Sequence, residues 1–260
     1  MPKLAANLTM MFNEVDFLDR FRAAAEAGFA GVEYVSPYEY DKTDLVEMLR
    51  RHRLTQVLFN LPVGDWAAGE RGIACHPDRV EEFRAGIDTA IEYAGVLGCH
   101  QVNCLAGISP TDSAPETLRE TFVSNLRFAA QRLEHAGVRL LIEPINQRDI
   151  AGFYLRNTKH ALDIIAEAAV SNLYVQYDVY HMQVMEGDLV PTMQANLNSI
   201  SHIQIADTPG RNEPGTGEIN YPFVLKAMDE MGYQGWVGCE YKPATTTVEG
   251  LSWAADYLVK

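Results

Sequence analysis

The octapeptide Arg139-Leu-Leu-Ile-Glu-Pro-Ile-Asn146 changes character halfway along. Leu140, Leu141 and Ile142 are apolar without alternation, the pattern of a strand covered on both faces. The run stops at a carboxylate, Glu143, and Pro144 follows, which has no N–H to give to a ladder. Barrels and open α/β sheets carry their chemistry at the carboxyl ends of buried parallel strands. The pattern recurs downstream. Leu173-Tyr-Val-Gln-Tyr-Asp178 and Gly235-Trp-Val-Gly-Cys-Glu240 also end in acids, and His202-Ile-Gln-Ile-Ala-Asp207 carries Gln204 and Asp207. Four successive strand-like runs therefore deliver oxygen ligands, which suggests one site.

Working outward, strand and helix patterns alternate along the whole chain. Strands are expected at Leu4–Leu8, Gly31–Val35, Gln56–Asn60 and Gln101–Ala106, ahead of the four acid-bearing runs. Helical spacing runs from Asp16 to Ala27, Asp44 to His52, Asp78 to Leu97 and Thr117 to His135, with glycines 28, 98 and 137 as stops. Later helices are expected from Thr158 to Val170, Leu189 to Leu197, Pro222 to Met231 and Glu249 to Leu258. About eight strand–helix units in 260 residues have the size and rhythm of a (β/α)₈ TIM barrel, read here as one domain over 1–260. A doubly wound sheet has the same alternation. Its nucleotide-binding version is disfavoured, because no G-x-G-x-x-G follows the first strand and no P-loop sequence occurs. The connection Leu61–Pro77 is long, Gly-rich and contains Asp65, Trp66, Glu70 and Arg71; loops of such length are often functional.

The totals narrow the partners. Lys and Arg number 21 against 35 Asp and Glu, a net charge of −14. Phosphate backbones and anionic membranes need a basic footprint, so neither nucleic acid nor a membrane surface is expected. No run of ~18 apolar residues and no signal-peptide pattern is visible. Cys75, Cys99, Cys104 and Cys239 form no C-x-x-C pair and read as reduced thiols of a cytoplasmic protein. The expected partner is a small molecule, with a homo-oligomer left open.

In a barrel, strands five to eight end side by side around one mouth, where Glu143, Asp178, Gln204 and Glu240 would converge. Three carboxylates so close would repel one another and raise their pKa values, a conflict that a divalent cation removes. All-oxygen ligation favours Mg²⁺, with Mn²⁺ as the alternative, over zinc. Just beyond these strands lie His181, Arg211, Glu213 and Lys242. His181 and Arg211 suit an anionic or polyol substrate, which needs neutral or cationic donors. With Glu70 of the long loop and Lys242, they form the candidate substrate-binding set.

These residues resemble the hydroxypyruvate isomerase family of the xylose-isomerase-like barrel superfamily. The resemblance spans nearly the whole chain. It rests on Phe-Asn-Leu-Pro-Val-Gly-Asp-Trp-Ala-Ala-Gly-Glu-Arg-Gly-Ile-Ala-Cys (Phe59 to Cys75), Ile-Glu-Pro-Ile-Asn (Ile142 to Asn146) and Gln-Tyr-Asp-Val-Tyr-His-Met-Gln (Gln176 to Gln183). It continues through His-Ile-Gln-Ile-Ala-Asp (His202 to Asp207), Glu-Pro-Gly-Thr-Gly-Glu-Ile-Asn-Tyr (Glu213 to Tyr221) and Gly-Cys-Glu-Tyr-Lys-Pro (Gly238 to Pro243). The loop motif separates this family from related ketose epimerases; the strand-end motifs are shared more widely. The resemblance implies interconversion of hydroxypyruvate and 2-hydroxy-3-oxopropanoate (tartronate semialdehyde) in glyoxylate metabolism. It implies that Glu143 and Glu240 are the proton donor and acceptor as well as metal ligands, and that Asp178 and Gln204 complete the metal set. Many superfamily members have His where Gln204 stands, so the metal preference of the epimerases does not transfer.

The expected chemistry is metal-assisted proton transfer through an enediolate, with one Glu removing a proton beside the carbonyl and the other returning one. A 2-oxo-tetronate isomerase on the same site is the nearest alternative. An endonuclease acting at abasic DNA would need a His-rich zinc site and a basic face, which seven His and a charge of −14 do not offer. A sugar-acid binding protein would keep the ligands without needing two Glu.

Overall fold

In the computed structural model, which describes residues 1–258, eight parallel strands close on themselves in chain order. They are β1 (Lys3–Asn7), β2 (Gly31–Tyr34), β3 (Thr55–Asn60), β4 (Gln101–Cys104), β5 (Arg139–Ile142), β6 (Leu173–Asp178), β7 (Ile200–Ile205) and β8 (Trp236–Cys239). Closure comes from β1 pairing with β8, with Ala6 opposite Cys239. The helices around the strands are α1 (Phe17–Glu26), α2 (Lys42–His52), α3 (Val80–Leu97), α4 (Pro115–His135), α5 (Thr158–Ala168), α6 (Val179–Met185), α7 (Leu189–Ala195) and α8 (Tyr221–Glu230). The expected TIM barrel is the observed architecture.

Two local expectations need correcting. A helix, α6, starts directly after β6, where only the later segment around Leu189 was expected. It is seven residues long, too short for a periodic signal, and it starts on Asp178, whose carboxylate accepts hydrogen bonds from the N–H groups of Tyr180 and His181. The last element is a 3₁₀ helix, Glu249–Ala254, rather than an α-helix reaching Leu258. Short 3₁₀ segments keep a near-helical side-chain spacing, so pattern does not separate the two. Short 3₁₀ turns also precede α3 at Pro77–Arg79 and β7 at Leu197–Ser199.

Strand side chains alternate between faces. Leu140 and Ile142 of β5, Val175 and Tyr177 of β6, and Ile203 and Ile205 of β7 join one apolar layer with helix residues such as Phe122, Leu126, Ile164 and Leu225. The opposite set fills the barrel. At its base Ala5, Val57, Leu58 and Leu141 pack with Tyr174 and Trp236. Above them the same set of positions is polar and buried: Asn7, Glu33, Asn103, Gln176, His202 and Gln204. Register brings Asp178 beside Gln204 and Gln204 beside Gly238, so the ends of β5 to β8 reach the mouth together.

Candidate active site at the barrel mouth

Glu143 stands one residue beyond β5 and Glu240 one beyond β8; Asp178 is the last residue of β6. Glu143, Asp178, His181 and Glu240 each present one ligand atom, all within 4.8 Å of one another. Neighbours hold these groups in place. Asn103 Nδ2 donates to Glu143 Oε2 at 3.0 Å, and Asn7 Nδ2 to Glu240 Oε1 at 3.3 Å. Asp178 Oδ1 accepts from Tyr180 N–H at 2.8 Å, whereas no hydrogen bond from the described residues reaches its buried Oδ2.

The electrostatics follow from crowding in a dry place. Burial pushes Glu143 well above the usual carboxylate range, and the negative charges of Glu240 and Asp178 push it further. Burial raises Glu240 to about 8 and Asp178 to about 6, against the opposing charge of Arg211. His181 moves down, because burial and then Arg211 both disfavour its cation. The ring is therefore held neutral. Asp149 N–H donates to Asn146 Oδ1 at 2.7 Å, which leaves Asn146 Nδ2 to donate to His181 Nδ1, also at 2.7 Å. His181 Nε2 lies 3.4 Å from Arg211 Nη2, 3.5 Å from Asp178 Oδ2 and 3.9 Å from Glu143 Oε1.

The donor set fits a hard divalent cation: carboxylate oxygens converge, one of them buried and without a hydrogen bond. Gln204 stands deeper than a simple convergence of four ligands implies. Its Nε2 donates to Glu33 Oε1 at 2.7 Å, and its Oε1 accepts from Gln176 Nε2 at 2.6 Å. A carbonyl oxygen has two lone pairs, so one stays available to a cation.

Of the remaining expected residues, Arg211 lies at the mouth but is not a free cation. Its Nη2 donates to Glu240 Oε2 at 2.7 Å and lies 3.9 Å from Asp178 Oδ2, while Nη1 reaches Asp149 Oδ2 at 3.3 Å. Lys242 is exposed and lines the same cavity. Glu70 must be corrected: its carboxylate turns away from the site. It pairs with Arg79 at 2.5 Å, accepts from Asp65 N–H, and lines a separate surface cavity with His76 and Asp112. Asp207 is also no part of the mouth cluster. It accepts from the N–H groups of Thr208, Gly215, Gly217 and Ile219, so it shapes the loop that carries Arg211. Glu213 accepts from Ala244 N–H and braces that loop against the segment after β8.

From the long loop, Trp66 and Arg71 line the cavity, with the guanidinium of Arg71 3.9 Å from the indole centroid. The cavity measures about 1030 Å³ and takes in Glu143, His181, Arg211, Glu240 and Lys242. The reading from sequence missed Asn7, Glu33, Asn103 and Asn146. For Asn7, Glu33 and Asn103 the signal was a polar residue at an inward position of a short apolar strand, which becomes informative once the inward face is known; Asn146 lies beyond β5 and carries no such signal.

A model of the xylose isomerase-like TIM barrel family matches residues 21–257. The chain is 52% identical over 257 residues to the hydroxypyruvate isomerase of Escherichia coli K12, covering 99% of this chain and 100% of that protein. It is 48% identical over 258 residues to the 2-oxo-tetronate isomerase of Cupriavidus necator, covering 99% of each. A solved structure described as AP endonuclease, family 2, from Brucella melitensis superposes with a TM-score of 0.97 at 45% identity, covering 99% of this chain and 100% of that one.

Proposed function

The chain belongs to the xylose isomerase-like TIM barrel family and is an isomerase, and from that premise we propose that its substrate is hydroxypyruvate, converted to 2-hydroxy-3-oxopropanoate. The observation that carries this reading is the pair Glu143 and Glu240, carried by β5 and β8, whose carboxyl oxygens lie within 4.8 Å of each other in one cavity and which are both raised above the usual carboxylate range. A group that must both take and return a proton near neutral pH works best when its pKa lies near that pH. One of the two removes the proton from C3 of hydroxypyruvate, and the other delivers one to C2. His181 Nε2 stands among the same carboxylates, where it meets the substrate oxygens. Arg211 holds Glu240 at a fixed angle, and the second oxygen of Glu143 is held by Asn103.

Glu143, Asp178, Glu240 and the carbonyl oxygen of Gln204 would hold a divalent cation, Mg²⁺ or Mn²⁺. Bound there, it supplies Lewis-acid stabilisation of the charge that develops on the substrate oxygens. The substrate carboxylate needs a cation that is not already committed. Lys242 and Arg71 are better placed for that than Arg211, because among the described residues Arg71 is held by the carbonyls of Trp66 and Glu70 and by the indole, with no carboxylate partner. Four buried thiols without disulfides suit a reducing compartment such as the cytoplasm, and no described helix is long and apolar enough to cross a membrane.

One observation favours a second substrate. A cavity of about 1030 Å³ leaves room for more than three carbons, as a 2-oxo-tetronate would need. A coupled assay of the purified, Mg²⁺-loaded protein against both acids tests the reading. Turnover of hydroxypyruvate with the higher kcat/KM supports it, faster turnover of the four-carbon acid assigns the alternative, and turnover of neither overturns both. Cleavage of abasic DNA is disfavoured by the net charge of −14 and by a mouth cluster with a single His.

A further inference from the structure

Beneath the mouth lies a polar layer that the proton-transfer reading leaves unused. Glu33 of β2 is fully buried. Asn7 Nδ2 at 3.0 Å and Gln204 Nε2 at 2.7 Å donate to its Oε1, and Nε2 of the equally buried His202 lies 2.7 Å from its Oε2. Space is reserved for this carboxylate: a Cβ at Gly238 would come within 2.4 Å of both its oxygens. Two amide donors meet one oxygen and an imidazole nitrogen meets the other, so both oxygens of this group are partnered.

Two of those partners continue upward. An amide has a donor end and an acceptor end. With Nε2 of Gln204 committed to Glu33, its Oε1 must face the other way, where Gln176 leaves it one lone pair. Asn7 is fixed similarly. Thr9 N–H donates to its Oδ1 at 3.1 Å, so Nδ2 bridges Glu33 and Glu240.

We propose that Glu33 is a positioning residue for the cation site: it sets which end of the Gln204 amide faces the cation and, through Asn7, holds the Glu240 carboxylate in place. This rests on the cation reading above and not on the choice of substrate. In Glu33→Gln the new amide donates as well as accepts, so Gln204 is free to turn and offer N–H to a positive ion.

The test reads Mn²⁺ affinity of the metal-stripped, full-length protein from the paramagnetic resonance signal of free Mn²⁺. Residues that orient metal ligands typically govern about 10–100-fold in affinity, and Glu33→Gln is expected to lose that much. In a Gln204→His background there is no amide to turn, so the same change should cost about threefold or less. A merely structural role would lower both backgrounds equally. Asn7→Ala spares the Glu33–His202 pair and carries the test if Glu33→Gln does not fold; it should bind Mn²⁺ about tenfold more weakly. Wild-type affinity in folded Glu33→Gln, equal losses in both backgrounds, wild-type affinity in Asn7→Ala, or no Mn²⁺ binding by the unaltered protein each overturns the proposal. Turnover is measured separately, so inactivity towards hydroxypyruvate with these affinity losses intact would remove the substrate reading alone.

Discussion

Glu33 and the Glu143–Asp178–Glu240 group stand inside one barrel, all of them buried except the half-buried Glu240, and they meet opposite conditions. Both oxygens of Glu33 have close polar partners, Asn7, Gln204 and His202. At the mouth three carboxyl groups face one another, one buried oxygen accepts no hydrogen bond from the described residues, and Arg211 supplies compensating charge. A buried carboxylate that is fully paired is finished as structure, whereas a crowded set is finished only by protons or by a cation. The contrast teaches that burial alone does not mark a catalytic acid. The mismatch between charge and partners does.

The strongest way to break the comparison is to remove the carboxylates on the mismatched side. Glu143→Gln and Glu240→Gln should each lose about 10²–10⁴ in kcat while folding normally, the usual span of general acid–base catalysis. The two losses should not add, because either change stalls the same relay. If both variants kept more than about a tenth of wild-type kcat, less than ~1.4 kcal/mol would rest on them and the paired-acid mechanism would fail.

Arg211 comes next. Losing a charge-assisted hydrogen bond of roughly 1.5–3 kcal/mol corresponds to about 10- to 100-fold in rate or affinity. Because Arg211 contacts Glu240 and Asp149, Arg211→Ala should show most of that loss in kcat. A loss confined to KM would return the substrate carboxylate to Arg211.

Cation removal should show the mismatch as stability. Glu240 at about 8 and Asp178 at about 6 lie above their unfolded values, so the native protein binds more protons than the unfolded chain between about pH 4 and 8. Stability of the chelated protein should therefore fall as pH rises through that window. Mg²⁺ at a hundred times its Kd adds about 2.7 kcal/mol, or about 5–10 °C in Tm, and the gain should be larger at pH 8 than at pH 6 because protons no longer compete. Melting that is indifferent to both chelator and pH would show the mouth needs no cation.

The smallest effect is expected at Glu70, outside both groups. Its ion pair with Arg79 is partly exposed and worth about 1 kcal/mol at most. Glu70→Ala should lower Tm by no more than about 2–4 °C and leave kcat/KM within about twofold. A tenfold rise in KM would place Glu70 back among the substrate contacts.

Period and punctuation in the chain determined a good deal by themselves. Apolar runs ending in Glu143, Asp178 and Glu240, separated by helical stretches with glycine stops, are enough for a barrel and for the three acids at its mouth, since strand ends are set by local sequence and parallel strands align them. The motifs from Phe59 to Pro243 were enough for the family. What lay out of reach depended on side chains distant in sequence. Asn7 bridges Glu33 and Glu240 across the closure of β1 on β8, 233 positions apart in the second contact, and no local pattern records that meeting. Glu70 and Arg71 are neighbours in one loop, yet the backbone turns one toward Arg79 and the other toward the cavity. Gln204 reads as a ligand from its place on the strand, but the end of its amide that faces the mouth is set by Glu33. Strand alternation tells which face a residue occupies; hydrogen-bond direction, which decides what that residue offers, exists only once the partners have been brought together.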